Sequence, residues 1–349
     1  MAVTDPIHDA RERVDVVTIG SRNSKLALVQ TRDVITKLHS VYGPKPDYQV
    51  LTGGVTGDAD KRTPFKALAA QTGLANVGKS LWTTSLEADL VDGKYDFLIH
   101  CLKDMPTTLP PNCALSAITE REDPSDAVIM SPRVKYTRLC DLPAGSVVGT
   151  SSCRRKALIG RSWPHLVVQE CRGNIDTRLA KLDHPDSPFT CIILATAGLN
   201  RMHLEHRITE RLHPANFPYA VGQGALGIEI STHEPDVAKL VMAVDDKESR
   251  WCGLAERAML RSLRGGCSSP IGVWCRPDAT PDGASNLGSQ QGPALGLRLD
   301  ATVLNTQGSS SVHVEESQSV TSDEDAERLG ETVARLLIAQ GAEKLLHRA

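Results

Sequence analysis

Apolar and polar positions alternate between two periods along the first half of the chain. VDVVTIG (14–20) is a β-branched run ending in glycine, and in SKLALVQTRDVITKLH (24–39) apolar residues recur at helical spacing behind Ser24. The first pattern predicts a strand, the second a helix with Ser24 as its N-cap. YQVLTGGV then reads as a strand, SLWTTSLEADLVDGK (80–94) as a helix closed by Gly93, and YDFLIHCL (95–102) as an apolar strand running into the proline-rich loop KDMPTTLPP. From residue 146 the rhythm restarts. SVVGT, LVVQECRG and FTCIILATAGL read as strands, and SSCRRKALIGRSW and NIDTRLAKL as the helices between them.

Alternating strands and helices imply mostly parallel sheets, with functional residues gathered just beyond the strand C-termini. The expected fold class is α/β: two similar α/β domains facing each other across a cleft, followed by a smaller α+β domain. That third part begins after residue 240. It holds the helical ESRWCGLAERAMLRSLRGG, the strands IGVWCRP and ALGLRLDATVLN, and a closing amphipathic helix in DEDAERLGETVARLLIAQGAEKLL. The Gly/Ser/Pro/Gln-rich stretch 277–293 reads as a surface loop.

Composition narrows the partners. The 349 residues are 40% hydrophobic, 23% charged and only 4% aromatic, with a net charge of −3. A global footprint for nucleic acid or an anionic membrane is missing, so anion recognition must be local. The first 15 residues lack the apolar core of a secretory signal, and no apolar stretch reaches the length of a membrane span. Nine cysteines without a spacing pattern look like reduced thiols. A cytoplasmic protein is expected.

Positive charge collects at three strand-to-helix turns. GTSSCRRKALIG (149–160) sets Thr150, Ser151 and Ser152 beside Arg154 and Arg155. CRGNIDTRLAKL (171–182) places Arg172 at a strand end and Arg178 one turn into a helix, and GSRNSKLAL adds Arg22 and Ser24. Helix N-termini with arginines make anion cradles, and guanidinium suits planar carboxylates. Phosphate fits less well, since neither GxxxxGK[ST] nor GxGxxG is present. LIHCLKDMP (98–106) delivers one carboxylate, Asp104 after Lys103, to the end of an apolar strand. There it can stabilise a cation or exchange a proton. The histidines show no metal-ligand spacing, and no metal is expected. RGGCSSPIG (264–272) puts Cys267 on bare backbone, where an incidental turn cysteine and a functional thiol are both open readings.

Taken in order, GSRNSKLALVQ, HCLKDMPTTLP, EREDPSDA, LPAGSVVGTSSCRRKA, RGNIDTRLAKLD, ILATAGLNRM, AVGQGALGIE and AERAMLRSLRGGCSSPIG closely resemble the porphobilinogen deaminase (hydroxymethylbilane synthase) family from about residue 15 onward. The resemblance implies head-to-tail joining of four porphobilinogen molecules with loss of ammonia, then hydrolytic release of hydroxymethylbilane. It implies a dipyrromethane cofactor on Cys267 and Asp104 as the catalytic carboxylate. Arg22, Ser24, Lys79, Lys103, Thr150, Ser152, Arg154, Arg155, Arg172 and Arg178, with Arg201 and Gln223, would hold acetate and propionate groups. It further implies a monomer with three domains: residues 14–119 with 224–242, residues 120–219, and residues 243–349. The first two would be like periplasmic binding proteins, the chain crossing back into the first at AVGQGALGIEI.

Three stretches depart from the family pattern. Cys101 stands where serine is usual, Ala75 where a lysine is usual, and Thr84-Ser85 where a Lys-Glu pair is usual. A plain dicarboxylate-binding protein is the rival reading. It would need neither Cys267 nor Asp104.

Overall fold

A computed structural model describes residues 16–53, 83–265, 269–278 and 294–346. Lys79, Ala75 and Cys267 lie outside the described residues, as does most of the 277–293 stretch. The chain divides into two compact units, residues 1–121 with 225–250, and residues 122–224 with 251–349.

The first unit is built on β1 (Val16–Arg22), α1 (Lys25–Tyr42), β2 (Asp47–Gly53), α2 (Thr84–Val91), β3 (Phe97–Cys101) and β4 (Cys113–Ile118). The chain returns to it later with β10 (Leu226–Ser231) and α6 (Pro235–Val241). Its five strands lie in the order β2-β1-β3-β10-β4. β1 runs parallel to β2 and β3, whereas β10 is antiparallel to both β3 and β4. β3 and β10 are enclosed on both faces, which is why FLIHC and LGIEIS read as near-continuous apolar runs. Val17, Ile19, Phe97, Ile99 and Ile228 pack with Val34 and Leu38 of α1 to form the core.

The second unit repeats the plan. Its elements are β5 (Asp126–Met130), β6 (Val147–Gly149), α3 (Cys153–Ser162), β7 (Val167–Gln169), α4 (Ile175–Asp183), β8 (Cys191–Ala195), α5 (Thr196–Arg201) and β9 (Glu210–Leu212). The order is β7-β6-β8-β5-β9, with β6 parallel to β7 and β8, and β5 antiparallel to β8 and β9. Three parallel strands followed by an antiparallel fourth recur in both units, so the α/β class and the two similar lobes expected from the rhythm are present. Where FTCIILATAGL reads as one strand, the extended run stops at Ala195. Thr196 is fully buried, its hydroxyl 2.9 Å from that of Ser125, and from there the backbone turns into α5.

The same unit holds α7 (Lys247–Ser262) from Trp251 onward, and a three-stranded antiparallel sheet of β11 (Ile271–Pro277), β12 (Leu295–Leu304) and β13 (Ser311–Val320). Its closing helices are α8 (Asp323–Ala339) and α9 (Ala342–Leu346). The single closing helix expected from periodicity is broken at Gly341, whose φ of 92° lies in the left-handed region. α8 approaches α7 so closely that a Cβ on Gly330 would sit 2.1 Å from the Ala255 carbonyl oxygen. Met259, Leu260, Val273, Leu299, Leu329 and Val333 fill the space between helices and sheet.

All eight described cysteines are free thiols. Burial, reinforced by nearby carboxylates, pushes Cys113 and Cys191 up to about 12, while Cys140 is exposed. Thiolate is the reactive form. In the native protein at pH 8, iodoacetamide followed by peptide mass mapping is expected to modify Cys140 at least about tenfold faster than Cys113 or Cys191. Equal rates would contradict this packing.

Candidate functional site

In the first unit, the parallel register that sets Gly20 beside Leu98 brings the C-terminal ends of β1 and β3 to one edge of the sheet. Arg22 ends β1, and Ser24 caps α1 by accepting from the Ala27 amide at 3.2 Å. Beyond β3 the chain makes a tight turn over Leu102–Asp104. The buried Leu102 and Met105 pin it, and the Leu102 amide donates to the Ala225 carbonyl at 3.0 Å. With its flanks anchored, the turn leaves Lys103 and Asp104 half-buried. The Sγ of Cys101 lies 3.0 Å from Nε2 of Gln30 on α1. Beneath this edge, His100 Nε2 lies 3.2 Å from Oε2 of the fully buried Glu229. Burial, with the charge of Glu229 added, raises the pKa of the neighbouring Glu87.

In the second unit the corresponding edge carries more charge. Gly149 and Gln169 sit opposite each other at the ends of β6 and β7. A Cβ on Gly149 would meet Ile192 and Phe189 at 2.8 and 2.9 Å, so the strand end needs glycine to pack. Thr150 Oγ1 accepts from the Ser152 amide at 3.2 Å, and Ser152 caps α3. The hydroxyls of Thr150 and Ser152 are therefore engaged in shaping the turn that carries Arg154 and Arg155.

The two arginines are not a solvated surface pair. Both are buried against Asp126, the first residue of β5. Arg155 donates to Asp126 Oδ1 through Nη2 at 2.7 Å and Nε at 3.2 Å, and through Nη1 to the Ile193 carbonyl at 2.7 Å. Arg154 Nη1 lies 2.8 Å from Asp126 Oδ2 and donates to the Pro218 carbonyl at 2.7 Å. Gln223 Nε2 adds a third donor to Asp126 Oδ1, at 2.9 Å. Burial alone would raise the Asp126 pKa, but the paired guanidiniums hold it well below the carboxylate range.

The same network reaches α7. The Glu256 carboxylate, fully buried, accepts from the Gly222 amide at 2.7 Å and lies 3.2 Å from the Tyr219 hydroxyl, fixing the 219–223 segment on which Gln223 sits. Arg172 pairs with Glu170, and Arg178 Nε donates to the Gly173 carbonyl at 2.6 Å, so both follow the end of β7. Arg201, at the end of α5, donates to the Gly224 carbonyl at 2.7 Å. Asp300, His313 and Glu315 are the one trio at metal-ligand spacing among the described residues, but Arg276 and Arg298 pair with the two carboxylates.

The structure thus groups Arg22, Ser24, Lys103 and Asp104 at one sheet edge of the first unit. It groups Thr150, Ser152, Arg154, Arg155, Arg172, Arg178, Arg201 and Gln223 around the corresponding part of the second. Lys79 and Cys267 fall outside the described residues. Sequence reasoning missed Asp126. Its signal was an acid directly opening the apolar run AVIM, which an antiparallel strand would bring, N-terminus first, to the edge where its parallel neighbours end.

Comparison with known proteins identifies the family. Residues 17–239 match the family described as "Porphobilinogen deaminase, dipyromethane cofactor binding domain", and residues 251–339 match "Porphobilinogen deaminase, C-terminal domain". A porphobilinogen deaminase of Yarrowia lipolytica is 43% identical over 97% of this chain and 95% of its own. That of Saccharomyces cerevisiae is 41% identical over 95% and 96%, and that of Neurospora crassa 39% over 96% and 94%. With both family regions matched in order and relatives of this identity spanning nearly the whole length, the chain belongs to the porphobilinogen deaminase family.

Proposed function

We propose that the chain is a hydroxymethylbilane synthase. It joins four porphobilinogen molecules head to tail, releases ammonia at each addition and frees hydroxymethylbilane by hydrolysis. The observation that carries this reading is a half-buried carboxylate, Asp104, held on an anchored turn, in a family member whose second unit concentrates arginines at its strand ends. Each substrate pyrrole brings an acetate and a propionate, and guanidinium is the side chain suited to them.

The residues fit a dipyrromethane cofactor. One carboxylate, Asp126, faces two buried guanidiniums, and Arg154 Nε is buried without a hydrogen-bond partner among the described residues. A dipyrrole carries carboxylates that would meet such a donor. Cys267 would hold the cofactor through a thioether, and Arg154, Arg155, Arg172 and Arg178 would hold its carboxylates. When bound, the dipyrromethane supplies the pyrrole carbon on which the product chain begins. Asp104 stabilises positive charge at the substrate's aminomethyl carbon as the C–N bond breaks, and transfers a proton to the departing amine. Lys103, Arg22, Ser24, Thr150, Ser152, Arg201 and Gln223 orient substrate carboxylates, joined by Lys79.

Among the described residues no helix is long and apolar enough to cross a membrane. We read the enzyme as a cytoplasmic monomer of three domains, with residues 243–349 carrying the cofactor, acting on a small molecule and on neither nucleic acid nor membrane. Mildly acidic charge and unpatterned cysteines support this.

Denaturing intact-mass measurement of purified wild-type protein is expected to exceed the 37.7 kDa chain by one dipyrrole, and Cys267→Ser to lose that increment. A wild-type mass equal to the bare chain would instead favour a carboxylate-binding protein. Asp104→Ala is expected to keep the added mass while losing at least about 100-fold in turnover of porphobilinogen; near-normal turnover would remove Asp104 from its role.

A further inference from the structure

Asp126 is 0% exposed, and Arg154 and Arg155 are 3% and 6% exposed. Two cations opposite one anion leave one positive charge unmatched in a site nearly closed to water, an arrangement that costs stability unless something else supplies the missing anion. The donors are not shared equally. Arg155 spends Nε and one N–H of Nη2 on Asp126 and one N–H of Nη1 on the Ile193 carbonyl. Arg154 is aligned by Asp126 Oδ2, the Pro218 carbonyl and the Phe217 ring 5.9 Å beneath its guanidinium carbon, and its Nε stays unspent.

We propose that Asp126 is a positioning residue. It touches no ligand; it fixes the direction of Arg154 and Arg155 in the first turn of α3, so that the N–H groups of these guanidiniums not spent within the protein meet a ligand carboxylate already oriented. Gln223 works from the other side of the same oxygen, holding Asp126 Oδ1 while Arg155 pulls on it. Arginine is long and flexible, and a guanidinium fixed before the ligand arrives loses less freedom on binding. The inference rests on the reading above, in which Arg154 and Arg155 hold carboxylates of the cofactor and substrate.

Asp126→Glu keeps the charge but moves the carboxylate by one methylene, and Asp126→Asn keeps the shape but removes the charge. Each variant is compared with wild type by thermal melting, by the fraction of protein carrying a dipyrrole in the intact mass, and by KM and kcat for porphobilinogen. Asp126→Glu is expected to melt within about 5 °C of wild type while KM rises about tenfold and kcat of the loaded fraction changes less than about threefold. Its dipyrrole-bearing fraction is expected to fall below about half that of wild type, and Asp126→Asn to lose more. Wild-type KM and loading in either variant would overturn the inference. So would an Asp126→Glu protein that does not fold, since Asp126 would then serve stability alone. A wild-type protein without a dipyrrole would fail at the earlier step, in the functional reading itself, and take the inference with it.

Discussion

A carboxylate removed from water can stay ionised only where cations or donors replace its hydration, and Asp126 is provided for three times over. Everything near it follows from that requirement. The first turn of α3 must bring Arg154 and Arg155 inward, so Thr150 and Ser152 shape a turn that makes this possible. The 219–223 segment must keep Gln223 in place, and Glu256 on α7 secures it through the Gly222 amide. Removing the central charge would leave two guanidiniums facing each other in a low-dielectric site, where like charges repel far more than on a surface. A chain of hydrogen bonds therefore links the start of β5, the start of α3 and the middle of α7 within one unit.

The two units apply the same strand plan to different ends. In the first, the edge beyond β1 and β3 keeps its acid half-buried, held by the apolar anchors Leu102 and Met105. In the second, the edge beyond β6 and β7 buries Arg154 and Arg155, leaves Arg172 and Arg178 half-buried, and spends backbone carbonyls to direct Arg154, Arg155 and Arg178. The difference lies less in residue type than in how far each strand end is closed over.

Local signals carried the helices and the strands beside them into view. Ser24 caps as its position suggested, Ser152, read as a hydroxyl of an anion cradle, caps α3, and the strand runs around residues 17, 98, 148 and 192 sit where the apolar clusters are. What stayed hidden depends on pairing between distant segments. β4 and β5 have ordinary local patterns and become strands through β10, β8 and β9. The end of β8 at Ala195 follows from the burial of Thr196 against Ser125, 71 residues away. Asp126 looked like one acid among several in EREDPSDA, because its partners are 28 to 97 residues distant in sequence. The arginines were legible as a cluster but their burial was not, since a solvated pair and a sealed pair have the same sequence.

The position of β10 has a consequence for how the chain is made. It lies between β3 and β4, so the first unit cannot complete its sheet until residues 226–231 have been synthesised. The sheet of the second unit, β5 to β9, is contiguous and ends at Leu212. On a ribosome, the second unit's sheet therefore has all its strands before the first does, and β3 and β4 emerge with unpaired edges.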